Sequence, residues 1–74
     1  MKLRVLFFAA LREQMKQSQG EYEFGNDATP SSVATQLLGF DSSLLFAVND
    51  EVVPRDHKLC DGDVLAFIPP VAGG

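Results

Sequence analysis

Cysteine, histidine and positive charge are all scarce in this 74-residue sequence, and tryptophan is missing altogether. Each shortage removes a class of function. Cys60 is the only cysteine, so no internal disulfide can form. Small secreted domains generally depend on several disulfides, and the expectation is therefore a protein of the reducing cytoplasm. His57 and Cys60 stand at a spacing that two metal ligands could use, but a structural zinc site wants four. No metal is expected: Cys60 reads as a small apolar side chain beside a turn, and His57 as a loop residue. Basic residues number 6 against 10 acidic ones, for a net charge of -4. They fall as scattered pairs, Lys2 with Arg4, Arg12 with Lys16, Arg55 with Lys58, each diluted by nearby Asp or Glu. Nucleic-acid binding needs a cluster of Lys and Arg to neutralise phosphates, and none is present. The acidic surplus fits solubility or a positively charged protein partner.

Long apolar runs are missing as well. Met1 to Arg4 followed by Val5 to Leu11 resembles the start of a signal peptide, yet the run spans 7 residues and meets Arg12-Glu13 at once. Signal peptides carry ~7–15 apolar residues and then a cleavage site, and a membrane span takes ~20. A buried strand of a cytoplasmic protein is expected, with no membrane association. A single domain of this length buries a thin core. It leaves little room for an enclosed substrate pocket of ~300 Å³ or more. A self-sufficient enzyme is not expected. No Gly-rich phosphate loop and no Ser-His-Asp arrangement can be found, and Asp61-Gly62-Asp63 reads as a turn.

What the sequence does contain is 46% hydrophobic residues arranged in short periodic segments. Leu3, Val5 and Phe7 alternate with Arg4, Leu6 and Phe8, which predicts a strand over Lys2 to Phe8. Leu11 and Met15 make a short helical turn, and Gly20 is expected to close that segment. Glu21 to Phe24 alternates strictly, predicting a half-buried strand with Tyr22 and Phe24 inward. Thr29-Pro30 is a helix start, an N-cap oxygen followed by proline where no N–H is required. Val33, Leu37 and Phe40, with Ala34 and Leu38 beside them, form one apolar helical face, and Gly39 is the expected C-terminal cap. Leu45–Val48 and Glu51–Val53 are joined by Asn49-Asp50, a pair that tolerates positive φ, so a hairpin is expected. Pro54 to Cys60 is a polar loop. Val64 to Ile68 is the last strand, and Pro69-Pro70 ends its ladder and begins an extended tail over residues 69–74. The sum is one α+β domain over residues 1–74, with a mixed sheet packed on one main helix.

With one helix available, the second face of that sheet has no cover. If Leu3, Val5 and Phe7 meet the helix, Leu6 and Phe8 point away. With Leu65 and Phe67 inward, Val64, Ala66 and Ile68 point outward. An exposed apolar patch on a small domain fits a protein interface; loops or self-association are the other ways to cover it. The tail closes on Gly73-Gly74, whose missing side chains let a backbone thread a narrow channel. A frayed terminus of small residues is the plain alternative.

Several stretches taken together resemble one family. Leu3-Arg4-Val5-Leu6-Phe7-Phe8-Ala9 with Leu11-Arg12-Glu13, then Ala47-Val48-Asn49, Asp56-His57 with Leu59, Asp61-Gly62-Asp63, and Ala66 to Gly74 are similar to the small subunits of molybdopterin synthase. These are MoaD-type, ubiquitin-like sulfur carriers. The closing stretch from Asp61 is the most specific part, whereas Lys16 to Leu45 is shorter than usual for the family. The resemblance implies a ubiquitin-like β-grasp fold. It implies that Gly74 is adenylated at its carboxylate by an E1-like, MoeB-type activating enzyme and converted to a thiocarboxylate, with Gly73 its slender neighbour. It further implies that the tail, through Pro69, Pro70 and Val71, enters a MoaE-type large subunit and donates sulfur to cyclic pyranopterin monophosphate. Phe8, Val52 and Ile68 match the family's apolar docking surface. The carrier itself is expected to be non-catalytic alone and to hold no cofactor, ATP belonging to the activating enzyme. Val53-Pro54-Arg55 instead resembles the related thiazole-synthesis sulfur carrier. That carrier, a ubiquitin-like protein modifier and a plain interaction module are the alternatives.

Overall fold

The first and last strands lie side by side in the interior of the sheet. A computed structural model describes residues 1–70. Strand β1 (Lys2–Phe7) leads through the short helix α1 (Ala10–Met15) into β2 (Gln19–Glu23). The main helix α2 (Pro30–Leu38) then crosses the sheet to β3 (Leu45–Val48), β4 (Glu51–Val53) and finally β5 (Val64–Ile68). The strand order is β2-β1-β5-β3-β4. Only β1 and β5 run parallel; the other three pairings are antiparallel. This is the mixed sheet on one main helix that the patterning predicts.

Local chemistry explains why α2 sits where it does. The Thr29 hydroxyl accepts from the Ser32 N–H at 3.2 Å, while the Ser32 hydroxyl accepts from the Thr29 N–H at 2.9 Å. This reciprocal capping box satisfies orphan donors that the first turn cannot pair internally. Pro30 follows at the first helical position, and Gly39 ends the helix at φ 88, a conformation with no Cβ penalty for glycine. Val33, Ala34 and Leu38 are buried on the face toward the sheet. They meet Leu3, Val5, Phe7, Phe46, Val48, Leu65 and Phe67, which alternate along their strands on the same side. Phe67, on the central strand, packs edge-on against Phe46 at 5.8 Å and tilted against Phe7 at 6.1 Å. Such aromatic geometry adds to what area burial alone provides.

Two expectations need correction. Gly20 does not close the first helical segment but lies within β2, opposite Val5. A Cβ there would come within 2.9 Å of the Tyr22 ring, so the missing side chain makes room for the tyrosine. Phe40 is not part of the buried helix face; it follows the Gly39 cap, where the chain has already turned, and is 38% exposed. Cys60 stands beside the Asp61-Gly62 turn, as expected, and is exposed, while the neighbouring Leu59 fills a core position.

Candidate functional site

The strand register fixes which residues share the face of the sheet opposite α2. Leu6 is level with Ala66, Ala66 with Ala47, and Ala47 with Val52, so one apolar row crosses four strands. A parallel row pairs Ile68 with Leu45 and continues to Phe8, which follows the Phe7–Phe67 pairing. Phe8, Val52 and Ile68, which the family resemblance puts on a docking surface, all come to this one face. Phe8, Leu45 and Val52 are exposed, Val52 to 72%. Leu6, Val64 and Ile68 are half-buried. Ala47 and Ala66 are buried between neighbouring strands, small enough to leave the centre of the face flat.

Leu45 is the residue that strand alternation alone did not single out. Its membership follows from the hairpin: a two-residue Asn49-Asp50 turn places Val48 opposite Glu51 and Val52 opposite Ala47. Leu45 and Ala47 then necessarily share a face with Val52, since side chains alternate with a period of two. Both turn residues take positive φ, 51 for Asn49 and 72 for Asp50, as a type I′ turn requires. The Asn49 side chain also fastens this hairpin to the start of β5. Its Oδ1 accepts from the Val64 N–H at 3.0 Å, and its Nδ2 donates to Asp63 Oδ1 at 3.0 Å.

Charge is distributed unevenly over the face. At the end where β1 begins, Arg4 pairs with Glu21 at 3.0 Å, and Lys2 stands opposite Glu23. At the other end, Phe8, Leu45 and Ile68 present apolar side chains, and the strands supply no charged partner among them. The central strand β5 leaves the sheet at this apolar end. Pro69 is half-buried and Pro70 exposed, and neither can donate a ladder hydrogen bond. The chain therefore departs from the middle of the sheet, beside the exposed apolar side chains. Val71, Gly73 and Gly74, expected to complete the site, lie outside the described residues.

The described residues contain no catalytic constellation. No group of three or more His, Cys, Asp or Glu is placed to hold a metal among them. No polar or charged residue among them is buried. Surface clefts of about 290 Å³ and 260 Å³ lie by the start of α2, beside Lys58, and at the charged end of the open face, beside Lys2 and Asp61. Neither reaches the point where β5 leaves the sheet. No helix is long and apolar enough to cross a membrane among the described residues. What the arrangement offers is an apolar face with the exit of β5 beside it, a surface suited to binding.

Comparison with known proteins places the chain in a family. Residues 5–74 match the model of the ThiS family. The chain is 41% identical to the molybdopterin synthase sulfur carrier subunit of Escherichia coli K12, over 97% of this chain and 99% of that protein. Its fold superposes on the small archaeal modifier protein SAMP1 of Haloferax volcanii with a TM-score of 0.82, covering all of both chains at 22% identity. It is also similar to a chain in the Helicobacter pylori complex of subunits 1 and 2 of molybdopterin-converting factor. There the TM-score is 0.61 at 25% identity, again over the whole of both chains. The ubiquitin-like β-grasp expected from the sequence is thus the fold observed, and the chain belongs to the ThiS family.

Proposed function

We propose that this chain is the sulfur-carrier subunit of a molybdopterin synthase, working in the cytoplasm and non-catalytic on its own. The observation that carries this reading is the 41% identity, over nearly the whole of both chains, to a protein named as that subunit. The open apolar face and the exit of β5 beside it supply the physical means. The face docks the carrier on a larger, MoaE-type subunit, and the segment from Pro69 to Gly74 reaches into that subunit's active site. Pro69-Pro70 restricts the backbone just beyond the sheet, which reduces the entropy lost when the tail is ordered. Gly73 and Gly74 present no side chain to a narrow channel.

In this reading the chemistry resides at the Gly74 carboxylate. A carboxylate is a poor electrophile. A MoeB-type, E1-like enzyme overcomes this with ATP: the carboxylate attacks the α-phosphate, pyrophosphate leaves, and an acyl-adenylate forms. A sulfur donor then displaces AMP and leaves a thiocarboxylate, a good nucleophile. On the large subunit that sulfur attacks cyclic pyranopterin monophosphate, and water then cleaves the acyl–sulfur bond, leaving the sulfur on the product and regenerating the Gly74 carboxylate. ATP is bound by the activating enzyme, and the carrier holds no cofactor or metal.

The test is reconstitution of product formation from the purified carrier in its thiocarboxylate form, its cognate large subunit and cyclic pyranopterin monophosphate. Molybdopterin should form in proportion to the carrier supplied, two sulfurs per product. Failure to form it in a mixture where the Escherichia coli carrier and its own large subunit succeed overturns the assignment.

A further inference from the structure

Ala9 holds a backbone conformation that an alanine does not favour. Its φ is 52 and its ψ -130, outside the left-handed helical region that Lys16 occupies at φ 59 and ψ 30. The Leu11 N–H donates to the Phe8 carbonyl at 3.1 Å, closing a turn over Phe8 to Leu11. Ala9 is the second residue of that turn, and its angles are those of a type II′ turn, where glycine is the usual occupant. A Cβ in this region is strained, and such strain persists only where the surroundings impose it.

Among the described residues the Ala9 methyl group serves neither a helix cap nor the core. Ala9 precedes α1 as its N-cap residue but makes no side-chain cap hydrogen bond. It is exposed, so it adds nothing to the core. Its position is informative: it directly follows Phe8, at the apolar end of the open face where β5 leaves the sheet. We propose that Ala9 is an affinity-determining contact of this docking face, its methyl held out by the strained turn and buried by the large subunit together with Phe8. This inference rests on the function proposed above, because it takes the same partner as the occupant of the face.

The strained geometry gives the test its sign. Glycine relieves the strain, so Ala9→Gly raises the urea midpoint of unfolding of the free carrier. The same substitution removes one methyl from the interface, so the Kd for the purified cognate large subunit, measured by calorimetry, rises about fourfold, equivalent to ~0.8 kcal/mol. A residue that served only the turn would not gain stability while losing affinity. Phe8→Ala is measured alongside. Unchanged affinity in Ala9→Gly, with Phe8→Ala weakened, overturns the role of Ala9 and leaves the docking face standing. Unchanged affinity in both variants overturns the docking face and this inference with it. A lower urea midpoint for Ala9→Gly overturns the strain argument.

Discussion

Val52→Ala separates the two faces of the sheet most cleanly, because Val52 is 72% exposed in the free domain and lies level with Ala47 in the apolar row. The substitution removes two carbons, worth ~1.6 kcal/mol when fully buried at ~0.8 kcal/mol each. Folding alone hides only about a quarter of the residue, so the free carrier should lose ~0.4 kcal/mol, about 2–3 °C in Tm for a domain of this size. The remaining ~1.2 kcal/mol is realised only when a partner covers the face, which raises Kd for the large subunit about sevenfold. Val5→Ala is the mirror-image control. Val5 is fully buried against α2, and its truncation adds a cavity to the transfer term, together about 2–3 kcal/mol. A domain of this length has ~4–11 kcal/mol of stability to lose, so the Val5 variant still folds, and its affinity should not change. Thermal melting and calorimetric titration of both variants decide the matter. If Val52→Ala melts as early as Val5→Ala, or binds as tightly as the unaltered carrier, the assignment of the open face is refuted.

Two further outcomes test how the sheet and its helix are held. Thr29→Ala removes one half of the capping box at the start of α2 and should lower stability by ~1 kcal/mol in urea denaturation, with Thr29→Ser recovering most of it; equal stability in all three proteins would show that the cap contributes nothing. Asn49→Ala loses both the bond to the Val64 N–H and a residue type that tolerates φ 51, and should lower stability by ~1–3 kcal/mol. Asn49→Gly keeps the turn but not the bond, so its urea midpoint should fall between the two, and a midpoint equal to that of Asn49→Ala would refute the conformational share of the loss.

The parts of this fold that were legible in the sequence are those set by short-range chemistry. Thr29-Pro30 marks the start of α2, and Asn49-Asp50 marks a hairpin, because each depends on neighbours only a few residues away. The open face was legible for the same reason: Phe8 and Ile68 alternate with Phe7 and Phe67, which face the helix. What escaped was decided by contacts distant in space or by backbone angles that composition does not encode. Gly20 reads as a break, but its place in β2 depends on the Tyr22 ring that occupies the space of a Cβ. Phe40 continues the helical spacing of Val33 and Leu37, yet Gly39 turns the chain before it. Leu45 required the register of the β3–β4 hairpin, which puts Ala47 opposite Val52 and Leu45 on the same face. The strain at Ala9 has no signature in sequence, since alanine is ordinary in both helices and strands.

The most direct measurement of the central claim is the intact mass of the untagged protein after incubation with ATP, its cognate activating enzyme and a sulfur source. The expected result is a gain equal to the exchange of one oxygen for sulfur, about 16 Da on the 8.1 kDa chain, lost on deletion of Gly74. The same gain in the variant lacking Gly74, or no gain under conditions that convert the Escherichia coli carrier, contradicts it.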